Sequence, residues 1–196
     1  MKILATVDIH GNRKTVKKIV EKAKEADVII SAGDVSIFGN GLDAIYADFN
    51  SIGKPVIIIH GNHETDEETR KATGLFKNLH FIHGKHLIIE GVLFLGWGGG
   101  GFAQRDKEFE KKAKEFRRIV GEHQKVVLVT HAPPFGTTLD LLGDDYQGCK
   151  SFTDFLKSIK ITLLIAGHLH ENAGMEDEIN DCMCINPGPE GKILEI

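Results

Sequence analysis

Short apolar runs, each followed by a polar side chain, recur along the whole chain. Five runs have the length and composition of buried strands: Lys2 to Val7, Val28 to Ser31, Pro55 to Ile59, Val126 to Thr130 and Ile161 to Ala166. Between the first two runs, apolar residues recur at helical spacing over residues 12–25 with lysines opposite, which predicts an amphipathic crossover helix. The first third therefore predicts a parallel sheet connected by helices.

The middle of the chain departs from this alternation. Residues 42–50 predict a second helix, and Thr65 to Glu68 fits a capping box at the start of a third. From residue 79 to residue 97 strands follow one another directly, with turns expected at Gly84-Lys85 and Glu90-Gly91. Hairpins are therefore expected to replace helical crossovers in this segment.

The second half predicts two more helices and a sheet edge. Residues 105–122 place apolar positions at helical spacing among many Lys and Glu, and residues 149–159 predict the other helix. Residues 132–148 form a loop long enough to suggest a functional role. Strands are expected on both sides of Asn180-Asp181, and residues 193–196 would close a sheet edge.

Composition and charge narrow the possible functions. A chain of 196 residues with 41% hydrophobic content predicts one domain, residues 1–196. The net charge of -4 provides no basic field, so long nucleic acid is not an expected partner. No apolar segment has the length of a membrane span, and three sparse cysteines fit a reducing compartment. We therefore expect a cytoplasmic protein without membrane contact, and the oligomeric state stays open.

A group of residues that contains potential metal ligands follows each of the five strand-like runs. The groups are Asp8-x-His10, Gly33-Asp34, Gly61-Asn62-His63, His131 and Gly167-His168-x-His170. Side chains two apart on a strand share a face, so each paired motif can reach a single cavity. Any one group alone would favour a loop residue or a cap. Together they predict a two-metal site, and their carboxylate, imidazole and amide ligands suit Mn, Fe, Zn or Ni.

The order and wording of these groups resemble the calcineurin-like metallophosphoesterase family, from Asp8 to about Gly188. The resemblance implies an α/β fold, a four-layer αββα sandwich of two mixed β-sheets flanked by helices. Within the family, residues 33–39 and Asn186-Pro187-Gly188 look most like small prokaryotic Icc-related phosphoesterases. Phosphoprotein phosphatases carry phosphate-clamping arginines where this chain has residues 35–38 and His60, so a phosphoprotein substrate is weakly supported.

The resemblance also implies two sets of metal ligands. These are Asp8, His10, Asp34 and His170 for one ion, and Asp34, Asn62, His131 and His168 for the other. Asp34 would bridge the ions, because two divalent cations about 3.5–4 Å apart repel unless a carboxylate and a hydroxide lie between them. Manganese is the expected metal, with Fe, Zn, Ni, Co and Mg as alternatives.

The implied reaction is hydrolysis of a phosphate ester. The shared hydroxide would attack phosphorus in line, and His63 would face the leaving group as a proton or hydrogen-bond donor. We expect the substrate to be a small phosphodiester, a cyclic nucleotide or a nucleotide-like molecule. The alternatives are a phosphomonoesterase or nucleotidase, and a catalytically silent interaction scaffold with the same fold.

A glycine-rich run at residues 96–101 satisfies the dinucleotide-binding pattern but follows hairpin-like strands, so NAD binding is not expected. We expect Gly98–Gly99 to pass close to the metals, with Trp97 or Phe102 as a wall for a base. A purely structural loop is the alternative. Asn12 would either contact phosphate or cap the first helix.

Overall fold

Two mixed sheets account for most of the strands in a computed structural model, which describes residues 1–121 and 123–196. The strands are β1 (Lys2–Thr6), β2 (Val28–Ser31), β3 (Val56–Ile58), β4 (Leu79–Phe81), β5 (Lys85–Ile89), β6 (Val92–Trp97), β7 (Val126–Thr130), β8 (Leu141–Leu142), β9 (Asp145–Tyr146), β10 (Leu163–Ile165), β11 (Glu176–Ile179), β12 (Cys182–Ile185) and β13 (Lys192–Glu195). The helices are α1 (Arg13–Lys22), α2 (Leu42–Ser51), α3 (Asp66–Thr73), α4 (Lys107–Val120) and α5 (Lys150–Ser158), with 3-10 turns at Ala23–Glu25 and His170–Asn172.

The first sheet has the order β13-β1-β2-β3-β4, and only β13 runs antiparallel to its neighbour. The second has the order β11-β12-β10-β7-β6-β5, with its four central strands parallel and both edge strands antiparallel. Parallel strands end at the same edge of a sheet, so the loops after β1, β2 and β3 are neighbours, as are those after β7 and β10.

Three clusters of buried side chains define four layers. Between the sheets, Ile30 and Ile57 of the first sheet pack with Phe94 and Val129 of the second. Residues of α1, α2 and α3 cover the outer face of the first sheet, and those of α4 and α5 cover the outer face of the second. The layers are therefore α, β, β and α, which confirms the four-layer fold expected from the sequence.

Helix ends follow from local sequence. The predicted capping box is present, since Thr65 accepts from the backbone of Glu68 and Glu68 accepts from the backbone of Thr65. Asp106 caps α4, which therefore begins at Lys107 rather than at the predicted residue 105. The predicted end of this helix, Glu122, lies outside the described residues.

The hairpin prediction for residues 79–97 was half wrong. The turn at Glu90-Gly91 joins β5 and β6 as an antiparallel hairpin. In contrast, β4 pairs in parallel with β3 in the first sheet, so the turn at Gly84 carries the chain from one sheet to the other. Pairing with β3 extends the first sheet by one strand, and the alternation of apolar residues alone does not specify this choice.

None of the helices described is both long enough and apolar enough to cross a membrane.

Candidate metal centre

The predicted metal ligands lie together at the carboxyl ends of the strands. Asp8 follows β1, Asp34 follows β2, His131 follows β7, and His168 follows β10. Three of these residues, Asp8, Asp34 and His168, have positive φ values of 57°, 50° and 70°, and His10 has 48°. Left-handed backbone is uncommon for residues other than glycine, so the surrounding packing holds these ligands in conformations that cost free energy.

One group of ligand atoms joins the first motif to the last. His10 Nε2 lies 2.9 Å from His170 Nε2, which itself lies 3.9 Å from Asp8 Oδ1. His10 Nε2 is also 3.8 Å from Asp34 Oδ2. These four side chains, from three separate loops, form the set implied for one ion.

A second group surrounds Asn62. Its Oδ1 lies 3.0 Å from His131 Nε2 and 2.8 Å from His168 Nδ1. His131 Nε2 is 3.4 Å from Asp34 Oδ2, the same oxygen that faces His10 in the first group. Asp34 therefore stands between the two groups, as a bridging ligand must.

The donor atoms fit a divalent metal. Two nitrogens bound to one ion at about 2.0–2.1 Å, on neighbouring coordination positions, lie about 3 Å apart. The separation between the His10 and His170 nitrogens is 2.9 Å. Asp8 Oδ1 is buried and has no hydrogen-bond partner within residues 1–121 and 123–196, and a bound cation would satisfy it.

Hydrogen bonds orient the ligand side chains. His131 is fully buried, and its Nδ1 lies 2.9 Å from the carbonyl oxygen of Ala32, so donation to that oxygen leaves Nε2 free to bind a metal. The backbone N–H of His168 donates to Asp8 Oδ2 at 2.9 Å. The backbone N–H of His63 donates to Asp34 Oδ1 at 2.9 Å, which turns Oδ2 toward both ligand groups.

The electrostatic environment keeps the Asp34 carboxylate charged. Burial raises the pKa of Asp34, but when His131 is protonated and binds no metal, its hydrogen bond and charge outweigh burial and lower this pKa to about 2. Burial raises the pKa of Asp8 to about 6, partly opposed by the charge of His131. Burial, together with the charge of His131, lowers the pKa of His168 to about 4, which leaves its imidazole neutral and able to bind a metal at pH 7.

His63 stands beside the two ligand groups without joining the set implied by the resemblance. Its Nε2 lies 3.9 Å from Asp34 Oδ2, and its ring packs against the ring of His10 at 4.8 Å between centroids. A quarter of its side chain is exposed. The ring is therefore held at the edge of the centre, within reach of a bound molecule.

Glu64 was not predicted from the sequence, yet it connects two of the metal-binding loops. Its buried carboxylate accepts hydrogen bonds from the backbone N–H groups of Asp34, Ser36 and Gly61 and from the Ser36 hydroxyl, at 2.7–3.3 Å. The donors lie up to 30 residues away. The signal available in the sequence was an acidic residue directly after Gly61-Asn62-His63, where a helix had not yet begun.

The same two loops touch at a pair of glycines. A Cβ atom on Gly33 would lie 2.5 Å from the backbone nitrogen of Gly61, and Gly33 has a φ of 96°. A Cβ atom on Gly61 would collide with the carboxylate of Asp34. Only glycine allows this approach of the two backbones.

The residues predicted to bind substrate occupy different environments. Asn12 accepts from the backbone N–H groups of residues 14 and 15 and so caps α1, which was one of the two roles expected for it.

Trp97 is 8% exposed, donates its indole N–H to Asp106 and packs on Phe109. Trp97 therefore belongs to the core, and the expectation that it forms a substrate wall is corrected. Phe102, the other predicted wall, is 63% exposed.

Gly98 and Gly99 contact His60 rather than a metal ligand. A Cβ atom on Gly98 would lie 2.5 Å from the His60 carbonyl oxygen, and the N–H of Gly99 donates to that oxygen at 2.9 Å. The N–H of Gly98 donates to His83 Nδ1. The glycine-rich loop thus supports the backbone just before Gly61, which favours the structural alternative for these two glycines.

The long loop after His131 is held by a buried carboxylate. Asp140 is fully buried and accepts from the backbone N–H groups of Gly136, Thr137 and Gly148. The loop contains the β8–β9 hairpin, whose two strands were not predicted.

Comparison with known proteins gives a family match over most of the chain. The model of the calcineurin-like phosphoesterase family matches residues 1–172. An uncharacterized protein of Methanocaldococcus jannaschii is 28% identical over an alignment of 201 positions. The alignment covers 97% of this chain and 89% of that protein.

Solved structures are similar in fold at low sequence identity. A Thermus thermophilus protein matches with a TM-score of 0.77 at 17% identity, over 95% of this chain and 88% of that one. A dimetal phosphatase from Danio rerio matches with a TM-score of 0.69 at 11% identity, over 94% of this chain and 86% of that one.

Proposed function

The chain belongs to the calcineurin-like phosphoesterase family, and on that premise we propose that it hydrolyses small phosphodiesters, such as cyclic or other nucleotide esters, at a dinuclear metal site. The position of Asp34 supports this proposal most strongly. Its Oδ2 lies 3.8 Å from His10 Nε2 and 3.4 Å from His131 Nε2, so one carboxylate oxygen faces both ligand groups. Manganese is the proposed metal, and Fe, Zn, Ni, Co and Mg are alternatives.

Two bound divalent ions would lower the pKa of a water molecule toward neutrality and offset the negative charge of the phosphate ester. The chain's own residues set the geometry for this chemistry. Asp34 carries its negative charge at pH 7, because its pKa is about 2. Glu64 fixes Asp34 and Gly61 in one arrangement, so the two loops need no reorganisation when substrate arrives.

His63 is the proposed donor to the leaving group. Its imidazole lies at the edge of the centre and is partly exposed, and the backbone N–H of His63 donates to Asp34 Oδ1. A leaving alkoxide needs a proton or a hydrogen bond as the phosphorus–oxygen bond breaks. A partly exposed imidazole beside the metals is suited to supply it.

The charges around the centre favour a diester over a monoester dianion. Residues 35–38 and residue 60, the positions at which phosphoprotein phosphatases carry clamping arginines, include no arginine in this chain. A dianion is usually bound by the paired N–H groups of arginine. A phosphodiester carries a single negative charge and needs less compensation.

Hydrolysis of a matched pair of substrates tests the proposal. Protein freed of metal with a chelator is assayed with bis-(p-nitrophenyl) phosphate and p-nitrophenyl phosphate, across Mn, Ni, Co, Zn and Mg. We expect kcat/KM to be higher for the diester, with the largest value in Mn. Faster hydrolysis of the monoester would replace the proposal with a phosphomonoesterase, and no hydrolysis with any ion would favour a silent scaffold.

A further inference from the structure

We propose that Phe38 is a stacking platform that binds a planar aromatic group of the substrate, such as a nucleobase, on the leaving-group side of the metal centre. The inference rests on the proposed function and assigns the residue that would bind the base of a nucleotide substrate. It also identifies a specificity-determining residue that the sequence reasoning did not find.

The first observation is an exposed aromatic ring in contact with the proposed proton donor. Phe38 is 74% exposed, the largest fraction among the exposed large apolar side chains of the described residues. Its ring centroid lies 4.6 Å from that of His63, with 31° between the ring planes. One side of the phenyl ring therefore meets His63, and the rest is available to a bound molecule.

The second observation is the backbone of the turn that carries this ring. Residues 37–40 form a tight turn in which the Asn40 N–H donates to the Ile37 carbonyl oxygen. Both central residues have positive φ, 50° at Phe38 and 75° at Gly39, as in a type I′ turn. The backbone conformation at residue 38 favours Asn, Asp or Gly, whereas a residue with a bulky side chain is strained in it. Such strain at the edge of a site motivates a functional hypothesis.

The third observation is that the turn is fixed rather than free. The Gly39 N–H donates to the Ser36 hydroxyl at 3.0 Å, and that hydroxyl donates to the buried Glu64 carboxylate at 2.8 Å. Glu64 in turn holds the loop that contains Asp34. The ring of Phe38 is therefore positioned relative to the metal ligands before substrate binds, which reduces the entropic cost of stacking.

The neighbours of His63 determine which part of the substrate stacks. Its ring contacts both the ring of Phe38 and the ring of His10, a proposed ligand. Since His63 is the proposed donor to the leaving group, a ring on Phe38 belongs to that group. Phe102 contacts His168 instead, with ring centroids 4.8 Å apart, so it faces a different part of the centre.

Binding of a matched pair of ligands to the Mn-loaded protein tests the inference without requiring turnover. AMP and ribose 5-phosphate share the sugar and the phosphate and differ by the base. Calorimetric titration of the wild-type protein should give a Kd for AMP that is lower than that for ribose 5-phosphate by roughly 5- to 150-fold, the range for one base stacked on one aromatic ring. Chromatography after the titration verifies that the AMP is intact.

Phe38→Asn removes the ring and places at this position a residue that the turn favours, so the fold and the metal content should be kept. In this variant the ratio of the two Kd values should fall to near one. Phe38→Tyr should keep the wild-type ratio, as should the control Ile88→Ala, which removes an exposed apolar side chain from β5.

Equal Kd values for both ligands in the wild-type protein would overturn the inference. So would an unchanged ratio in Phe38→Asn with two Mn still bound. Either result could be obtained with a protein that hydrolyses the diester, so it would count against the inference alone. Conversely, a protein that hydrolyses no ester could still prefer AMP and lose that preference in Phe38→Asn. Failure of the inference is thus distinct from failure of the proposed function.

Discussion

Two clusters of histidine and aspartate lie near the end of β3. They differ in whether their potential ligand atoms already take part in hydrogen bonds. The first is the candidate metal centre around Asp34. The second consists of His60, Asp66 and His83, whose ligand atoms also lie within 4.8 Å of one another. By distance alone, both clusters could hold a metal ion.

Hydrogen bonds separate the two clusters. In the second, His83 Nδ1 accepts from the Gly98 N–H at 2.8 Å, which leaves the proton of the neutral ring on Nε2, the atom a metal would need. Asp66 is partly exposed and is paired with Arg70 at 2.8 and 2.9 Å. In the candidate metal centre, Asp8 Oδ1 is buried and accepts no hydrogen bond from residues 1–121 or 123–196. The availability of lone pairs, more than their proximity, distinguishes a metal site from a structural cluster.

The largest expected difference between the clusters is in metal content. Asp34→Asn removes the carboxylate that faces both ligand groups, so the variant should lose both metals and about 100-fold or more of kcat/KM. Asp66→Asn, the matched control, should retain both metals and near-normal activity. Metal analysis after gel filtration measures both variants. Two equivalents of metal in Asp34→Asn would contradict the bridging role.

The next prediction concerns His63, at the edge of the candidate metal centre. His63→Ala should keep the metal content and slow esters with poor leaving groups by about 100-fold or more, because the proton donor is lost. Activated p-nitrophenyl esters should be slowed less, since their leaving groups need no proton. The dependence of kcat on leaving-group pKa measures this. Equal slowing of both ester types would exclude the donor role.

Glu64→Gln tests the connection between the loops of the metal centre. The amide NH₂ would face N–H donors in a buried site, so the free energy of unfolding should fall by about 2–4 kcal/mol and the metal affinity should fall with it. Urea denaturation of the metal-free protein gives the first quantity. Glu68→Gln, at an exposed carboxylate four residues later, should have a much smaller effect. Equal destabilisation by both changes would refute the linking role of Glu64.

The smallest effect is expected from His83, in the second cluster. Burial lowers the pKa of His83 to about 4 from an ordinary value of 6.5, so the unfolded chain binds a proton more readily than the folded chain. Stability from the neutral ring is complete above pH 6.5 and is lost as the pH falls toward 4. His83→Asn should reduce this loss by on the order of 1 kcal/mol, since solvent screens the partly exposed ring.

Urea denaturation from pH 7 to pH 4, with chelator present, compares the two proteins. Identical pH dependence in the wild-type protein and in His83→Asn would show that the ring titrates normally.

The side chains proposed as metal ligands could be predicted from the sequence to lie together, because each group follows an apolar run. Strand ends are determined by local hydrophobicity, and parallel strands bring their ends to a common edge. The short strand β4 was misassigned, since pairing with β3 depends on contacts that the local pattern does not contain. The helix caps at Thr65 and Asn12 were readable because capping is local.

The residues around the ligands were less accessible, for physical reasons. The role of Glu64 depends on backbone N–H groups as far away as that of Asp34. Nearly every residue has a backbone N–H group, so the residue types do not reveal which of them will meet Glu64. The orientation of a ring in a glycine-rich or turn segment is decided by tertiary packing. Trp97 therefore turned out buried, and Phe38 exposed, although composition favours neither outcome.

The contact between Gly33 and Gly61 limits how this centre can be moved or varied. Anyone who transplants the ligands onto another scaffold must reproduce two chain segments that touch without any intervening side chain. An alanine at either position would push the segments apart and displace the carboxylate of Asp34. The correct imidazoles and carboxylates on a new protein would therefore not reproduce the arrangement unless two glycines allowed the same close approach of the backbones.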